Sequence, residues 1–179
     1  MSALEDLGGW PALLTELVEG RDLPATHARA AMATILSGDA TAAQLIGFVV
    51  ALRAKGETPE ELSGLLDAVL DAASLVPLGD DLRSRAVDIV GTGGDRSHSI
   101  NVSTMAAIVV AGAGVPVCKH GARAASSQCG AADVLEELGV AIELSPQGVL
   151  RCIEEVGIGF CLAPKFHPAF RFAAPSRCE

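Results

Sequence analysis

Three glycines within four positions are the residues whose spacing most directly suggests chemistry. They lie in Gly91-Thr92-Gly93-Gly94-Asp95, directly after a short apolar run. Glycine lets the backbone adopt positive φ and approach a ligand without a Cβ, so successive N–H groups can converge on an anion. The segment therefore predicts a phosphate-binding turn, and an ordinary glycine-rich turn between a strand and a helix stays open as the alternative.

The start of a predicted helix lies a few residues further on. The pattern opens at Asn101 and continues through Ser103 and Thr104 into an apolar stretch. Side chains of these types cap helices, and the N–H groups and positive dipole end at a helix start attract anions. This segment is expected to extend the phosphate site. For Ser103, a helix cap and a ligand contact are both compatible with the sequence.

A second group of polar residues follows the next apolar run. It contains the cations Lys119 and Arg123, the imidazole of His120, and the hydroxyls of Ser126 and Ser127. We expect these residues to form a loop that wraps a phosphate. A lone lysine after a strand is usually a solvated strand end. Lys119 is a stronger candidate because the glycine turn is predicted at the same edge of the sheet.

The elements that position these residues fall into two regions. Residues up to about 75 read as a helical domain, with helices at Trp10–Val18, His27–Leu36, Ala42–Ala54 and Glu60–Ala73. Thr41 and Thr58 fit N-caps, and Thr58 with Glu61 fits a capping box. The segment from Ala73 to Arg85 reads as a connection.

Residues 76–179 read as an α/β domain in which apolar runs alternate with helices. The predicted strands are Ala86–Val90, Val115–Cys118, Ala141–Leu144 and Ile158–Leu162, and the predicted helices are Val102–Ala111, Ala131–Leu138 and Pro146–Val156. This alternation predicts a parallel sheet, whose ligand sites lie at the carboxyl ends of the strands. Both candidate segments occupy such ends.

Composition excludes several classes of function. The chain has 179 residues and a formal net charge of −9, which argues against binding nucleic acid or anionic membranes. Its longest apolar run, Met105 to Cys118, contains two glycines and a proline and is too short for a membrane span. The first residues lack a secretory signal, so we expect a cytoplasmic protein. The five cysteines are expected to be reduced core thiols.

The order and spacing of these motifs resemble anthranilate phosphoribosyltransferase of tryptophan biosynthesis. The resemblance rests on Gly91-Thr92-Gly93-Gly94-Asp95, Asn101-x-Ser103-Thr104, Lys119-His120-Gly121 and Ser126-Ser127-x-x-Gly130-x-Ala132-Asp133-Val134-Leu135-Glu136. It covers nearly the whole chain. It implies a small helical domain followed by an incomplete parallel α/β domain of the nucleoside phosphorylase/phosphoribosyltransferase type. Pyrimidine nucleoside phosphorylases, which share parts of these motifs, are the enzymatic alternative, and a non-catalytic phosphate-binding or dimerising remnant is the other.

The resemblance implies the substrates, the metal and the residues that bind them. Phosphoribosyl pyrophosphate would be bound with Mg²⁺, anthranilate would be the acceptor, Ser103 would be a magnesium ligand, and the protein would be a homodimer through its helical domain. No catalytic side chain is implied. The residues implied for phosphoribosyl pyrophosphate are Gly91, Gly94, Asp95, Ser99, Asn101, Val102, Ser103, Thr104, Lys119, His120, Gly121, Ala122, Arg123, Ala124, Ala125, Ser126, Ser127 and Ala131. Those implied for anthranilate are Gly91, His120, Ala122 and Arg177.

The sequence also departs from the family pattern. Ala122 stands where the family carries an asparagine that contacts anthranilate, Ala131 stands where serine is common, and Cys178 replaces a usual arginine. The family continues for about as long again beyond the position of Glu179 and supplies an Asp-Glu pair for a second magnesium. The resemblance therefore predicts an N-terminal part of such an enzyme or a degenerate copy, with little transferase turnover by itself.

Overall fold

The computed structural model describes residues 3–91, 100–124 and 129–173. Among them, residues 3–73 and 167–173 form a helical unit, and those between 74 and 166 form an α/β unit. The predicted fold class, a helical domain followed by an α/β domain with a parallel sheet, is confirmed. The domain boundary at residue 75 stays a prediction. None of the helices in the described ranges is long and apolar enough to cross a membrane.

The helical unit contains α1 (Ala3–Asp6), α2 (Gly9–Val18), α3 (Ala25–Ser37), α4 (Ala42–Lys55), α5 (Pro59–Asp71) and a 3₁₀ helix (Pro168–Phe172). The predicted N-caps are confirmed: Thr41 Oγ1 accepts from Gln44 N at 3.2 Å, and Thr58 Oγ1 accepts from Glu61 N at 3.2 Å. The capping box predicted for Thr58 and Glu61 is present, and Thr41 forms another with Gln44. The core of the unit includes Trp10 and Phe48, whose rings meet edge to face at 5.9 Å.

The α/β unit contains α6 (Asp80–Arg85), α7 (Val102–Gly112), β1 (Val117–Gly121), α8 (Ala131–Glu137), α9 (Pro146–Val156), β2 (Ile158–Leu162) and α10 (Ala163–Phe166). The strands β1 and β2 are parallel, and Lys119 is in register with Phe160. Side chains of β2 are buried on both faces, Phe160 and Leu162 in one cluster and Cys161 in the other. This is the burial expected for a parallel strand covered on both sides.

Two of the predicted strands are wrong. Ala86–Val90 makes only an isolated parallel bridge, from Val87 to Val117. After this bridge, the backbone N–H of His120 donates to the Asp88 carboxylate, and the Ile89 carbonyl accepts from the Lys119 side chain. These side-chain bonds take the place of the backbone hydrogen bonds that a longer strand would make to β1. The run 141–144 forms no strand. Its buried Ile142 and exposed Glu143 produce the alternation of a strand, but the backbone there has no pairing partner among the described residues.

Three further sequence expectations need correction. The connection predicted from Ala73 to Arg85 contains the helix α6. The strand predicted at Val115–Cys118 begins at Val117 and runs on to Gly121, so Lys119 and His120 lie within β1 rather than in a loop after it. Cys161 is a buried thiol as expected, whereas Cys129 is exposed and therefore not a core residue.

Candidate functional site

The side chain of Lys119 joins the three segments that the sequence predicts to bind phosphate. It is only 2% exposed, because positions 117 and 119 of β1 face the interior. Its Nζ donates to the Ile89 carbonyl at 2.6 Å and lies 3.4 Å from Ser103 Oγ. Burial lowers the pKa of Lys119, and the negative charge of Asp88 opposes that shift. The ammonium is thus held in a desolvated position between the approach to Gly91 and the start of α7.

The adjacent residue, His120, is held by Asp88 through both carboxylate oxygens. The backbone N–H of His120 donates to Asp88 Oδ1 at 3.0 Å, and His120 Nδ1 lies 2.8 Å from Asp88 Oδ2. Hydrogen bonding to Asp88 raises the pKa of His120 against the opposing effect of burial. Burial acts to raise the pKa of Asp88, but its hydrogen bonds to His120 lower it overall. The pair therefore favours imidazolium and carboxylate.

The start of α7 contributes a buried hydroxyl, that of Thr104. Asn101 occupies the N-cap position but does not cap the helix with its side chain; its Nδ2 donates to the Cys129 carbonyl at 3.4 Å. Thr104 is 3% exposed, and its Oγ1 has no hydrogen-bond partner in the described ranges. A buried hydroxyl without a partner is costly. This helix start is therefore suited to accept a ligand atom.

Backbone N–H groups on either side of the segment that follows β1 are hydrogen-bonded to Asp133. This carboxylate accepts from the backbone N–H groups of Ala124 at 2.9 Å and Gly130 at 2.8 Å, and these bonds lower the pKa of Asp133. Arg123 donates to Glu136 at 2.6 and 3.0 Å and to Asp133 at 3.2 Å. The guanidinium predicted to wrap a phosphate is therefore occupied by two acidic side chains of α8.

Close packing explains two glycines around this segment. A Cβ at Gly130 would lie 2.4 Å from the Ala124 nitrogen and 2.7 Å from the Ala122 oxygen. A Cβ at Gly121 would lie 2.7 Å from Phe160 Cε2 and 3.1 Å from Ala131 Cβ. Both contacts are shorter than ordinary van der Waals contact. Glycine at these positions lets the chain fold back against the start of α8.

Of the remaining predicted site residues, some lie within the described ranges and others lie outside them. Gly91 is exposed, and no atom of the described residues, its chain neighbours aside, lies within 4 Å of the position that a Cβ would take there. Val102, Ala122 and Ala124 are exposed as well, while Ala131 is half-buried at the start of α8. The residues outside the described ranges are Gly94, Asp95, Ser99, Ala125, Ser126, Ser127 and Arg177. Their roles stay predictions.

Sequence reasoning assigned no site role to Asp88 or to Asp133. A signal for each exists in the sequence. Asp88 is an acidic residue inside an apolar run that precedes the glycine turn, and Asp133 stands three residues after Gly130, the spacing of a capping box. What the sequence does not show is that the partner of Asp88 is His120, 32 residues away, or that Asp133 also binds the N–H of Ala124 outside its own helix.

Comparisons with known proteins agree for the two parts of the chain. Residues 83–179 match the family described as "Glycosyl transferase family, a/b domain", and residues 11–73 match "Glycosyl transferase family, helical bundle domain". The chain is 63% identical over 172 residues to the anthranilate phosphoribosyltransferase of Saccharopolyspora erythraea. That alignment covers 96% of this chain and 48% of the relative. The chain thus spans about half the length of this relative.

Solved structures give the same result. The anthranilate phosphoribosyltransferase of Thermus thermophilus is 42% identical with a TM-score of 0.85, and the match covers 93% of this chain and 50% of that one. The enzyme from Saccharomyces cerevisiae in complex with PRPP and Mg is 30% identical with a TM-score of 0.83, covering 94% and 50%. The similarity extends over both units of the chain.

Proposed function

This chain belongs to the glycosyl transferase family, and from that premise we propose that it carries the phosphoribosyl-binding part of an anthranilate phosphoribosyltransferase. The reaction transfers the phosphoribosyl group from phosphoribosyl pyrophosphate to anthranilate in tryptophan biosynthesis. The products are N-(5-phosphoribosyl)anthranilate and pyrophosphate. The named relatives and the neighbour solved with PRPP and Mg support this choice of substrates.

One observation carries the proposal: Lys119 Nζ contacts both the Ile89 carbonyl and Ser103 Oγ. These contacts bring together the approach to the glycine turn, the start of α7 and the cation of β1. N–H groups of a glycine turn, a helix N-terminus and a buried ammonium are each suited to bind phosphate oxygens. A pyrophosphate has two phosphate groups, so the three segments together suit it better than any single segment does.

The residues also fit a magnesium ion held largely by the substrate. Mg²⁺ prefers oxygen ligands and retains waters and phosphate oxygens around it. Ser103 offers a hydroxyl oxygen 3.4 Å from Lys119 Nζ, and the next residue, Thr104, has an Oγ1 with no hydrogen-bond partner among the described residues. Within the described ranges, groups of three or more His, Cys, Asp or Glu that could hold a metal are absent. Ser103 would therefore contact the ion together with substrate oxygens, and the ion would offset charge on the leaving pyrophosphate.

The chemistry needs positioning and charge rather than a strong base. Displacement of pyrophosphate from the anomeric carbon places negative charge on the leaving group, which Lys119 and the N–H groups of the turn would stabilise. The aromatic amine of anthranilate attacks uncharged. Gly91, His120 and Ala122 would line its channel, and Arg177 would bind its carboxylate through a planar fork.

The direct test is calorimetric titration of the chain with phosphoribosyl pyrophosphate and Mg²⁺, compared with ribose 5-phosphate. Tighter binding of the pyrophosphate compound is expected because it reaches the turn, the start of α7 and Lys119 together. Binding of uridine or thymidine instead would favour the phosphorylase alternative. Loss of anthranilate fluorescence measures turnover, and binding without turnover would favour a non-catalytic role.

A substitution at Ala122 tests the acceptor assignment. Ala122 is exposed, so asparagine there leaves the fold undisturbed. Ala122→Asn is expected to tighten anthranilate binding, because it restores the polar side chain that the family carries at the matching position. Arg177→Lys is expected to weaken binding, because an ammonium lacks the planar fork. If neither change alters anthranilate affinity, the acceptor site is assigned wrongly.

Exposed apolar residues of the helical unit support a homodimer. On α4, Ile46, Val49 and Val50 are 42%, 53% and 61% exposed, and on α5, Leu62 and Leu66 are 52% and 55% exposed. Exposed apolar side chains on two successive helices are a surface that a second copy of the chain could cover. Sedimentation analysis of Val50→Glu, with Glu57→Gln as control, tests the proposal. A wild-type monomer at micromolar concentration would contradict it.

A cytoplasmic location is also part of the proposal. Cys118, Cys129, Cys152 and Cys161 form no disulfide within the described part of the chain. Thiols persist in compartments where glutathione and thioredoxin keep them reduced. Fractionation of the producing cells tests this location, and recovery from the secreted fraction would contradict it.

A further inference from the structure

Asp88 restricts the orientation of the His120 ring more than a single hydrogen bond would. Asp88 Oδ1 accepts from the backbone N–H of His120, while Oδ2 lies 2.8 Å from its ring nitrogen Nδ1. The first bond anchors the carboxylate on β1, so the second is made from a fixed position. The Phe166 ring of α10 packs edge to face against the imidazole at 6.3 Å, with an interplanar angle of 83°.

A carboxylate facing Nδ1 determines which ring nitrogen carries the proton. A carboxylate only accepts hydrogen bonds, so Nδ1 carries the proton both in the imidazolium and in the neutral ring. The other nitrogen, Nε2, is then the one that changes from donor to acceptor when His120 loses a proton. An anion binds to the donor form and is repelled by the acceptor form.

We propose that Asp88 is a positioning residue: it holds His120 with Nδ1–H directed at its carboxylate, so that the ring acts on a bound anion through Nε2–H. The inference rests on the proposed function, because the anion is either the pyrophosphate group or the carboxylate of the acceptor. Gly91 follows Asp88 by three residues, and Lys119 precedes His120. His120 and its partner Asp88 are thus each close in the chain to residues proposed to bind these anions.

The charged and titratable groups around the ring are compatible with an imidazolium. Asp88 faces it from the segment before the glycine turn, and Cys118 and Lys119 lie on its own strand. Cys161 is its register partner on β2, and the Phe166 ring of α10 packs against it. Among these groups Lys119 disfavours the charged imidazole, while Asp88 favours it more strongly.

The test without ligand is ¹⁵N NMR of histidine-labelled protein, with His120→Gln used to assign the signal. Asp88→Asn is the informative variant: its amide oxygen still accepts from the His120 backbone N–H, but its NH₂ group donates to Nδ1. The neutral ring should change from the Nδ1–H to the Nε2–H tautomer, and its titration should move to lower pH. The matched control is Asp81→Asn, which removes an aspartate paired with Arg85 on α6. An unchanged tautomer and titration in Asp88→Asn overturn the inference.

The test with ligand is a double-mutant cycle of Asp88→Asn and His120→Gln. Affinities for magnesium–pyrophosphate and for anthranilate are measured in separate titrations, which distinguishes the two sources of the anion. We expect Asp88→Asn to weaken one of them by about fivefold in the wild-type background and to have no effect when His120 is already glutamine. Additive losses would overturn the inference, because Asp88 would then act independently of His120.

The two tests also separate this inference from the proposed function. If the wild type binds neither magnesium–pyrophosphate nor anthranilate, the proposed function is overturned, and so is the claim that His120 acts on a bound anion. The tautomer measurement, made without ligand, tests the Asp88 step independently. Normal anion binding with an unaltered His120 tautomer in Asp88→Asn overturns the inference and leaves the proposed function in place.

Discussion

Lys119 Nζ lies 2.6 Å from the carbonyl oxygen of Ile89, two residues before the glycine turn begins. A strand that paired regularly would direct this carbonyl to a backbone N–H of β1. The lysine side chain takes that role, so the approach to the turn is bonded to β1 by the same group that is proposed to bind the ligand. Any change at Lys119 therefore affects both the approach to the turn and the charge of the site.

We expect Lys119→Met to weaken binding of magnesium–phosphoribosyl pyrophosphate by about 1.5–3 kcal/mol, the range for a hydrogen bond to a charged group. Methionine keeps most of the buried volume but removes the ammonium. The measurement is calorimetry, with thermal unfolding to confirm that the variant is folded. Lys165→Met is the matched control, because the Lys165 amine is exposed and, among the described residues, donates to the Glu143 carbonyl. Equal affinities of wild type and Lys119→Met would remove Lys119 from the site.

The Asp88–His120 pair gives the α/β unit a defined pH dependence of stability. The pKa of His120 is raised above its ordinary 6.5, so its contribution is complete below that pH and is lost as pH rises through the folded value. The pKa of Asp88 is lowered below 3.8, so its contribution is present above that pH and is lost on further acidification. The difference in unfolding free energy between wild type and Asp88→Asn is therefore expected to be largest near pH 5.

Denaturant unfolding from pH 4 to pH 9 measures this difference. Both side chains are 36% exposed, so solvent screening keeps the effect small. The decisive observation is the direction of the pH dependence: the difference in unfolding free energy should shrink from pH 5 toward alkaline pH. A difference that grows over this range would contradict the imidazolium–carboxylate pair.

Local patterns predicted the helices of this chain better than its strands. The capping residues Thr41 and Thr58 act within four residues of themselves, so their effect is readable from sequence. A strand requires a partner elsewhere in the chain. The run 141–144 has the alternation but no pairing partner among the described residues, and that difference is invisible in an apolar pattern.

The candidate site shows the same limit. The meeting of Lys119 with Ile89, just before the glycine turn, was predictable in outline because Val87 still bridges Val117 in parallel, so both segments run toward the same edge of the sheet. The burial of Lys119 was not, because it depends on where β1 ends: the strand runs on to Gly121, so position 119 lies within it and faces inward like Val117. The pairing of Arg123 with Glu136 is likewise a consequence of how the chain folds back onto α8.

In the helical unit, Glu61 is a fully buried carboxylate whose substitution should be costly. It accepts from Leu23 N and Thr58 N, each at 2.8 Å, and from Lys55 Nζ at 3.0 Å. Burial acts to raise the pKa of Glu61, but these bonds lower it overall. Glu61→Gln turns one acceptor into a donor that faces Thr58 N–H and Lys55.

We expect Glu61→Gln to lower the unfolding free energy by about 2 kcal/mol or more, the cost of leaving buried donors without acceptors. Glu60→Gln is the control, because its carboxylate makes one long bond to Ala25 N at 3.4 Å in an exposed position, and its effect should stay within about 0.5 kcal/mol. Chemical denaturation measures both. Equal stabilities of the two variants would show that the Glu61 hydrogen bonds contribute little.

Asp133→Ala should open the segment between β1 and α8 without unfolding the sheet. The carboxylate holds the amides of Ala124 and Gly130, and no other described side chain accepts from either. Their hydrogen exchange should become faster, and trypsin should cleave after Arg123 more readily, because Arg123 keeps only its bonds to Glu136. Glu137→Ala removes the same charge from an exposed position of the same helix and should change neither rate. If exchange at Ala124 and Gly130 is as slow in Asp133→Ala as in the control, backbone packing around Gly130 holds this segment and the carboxylate does not.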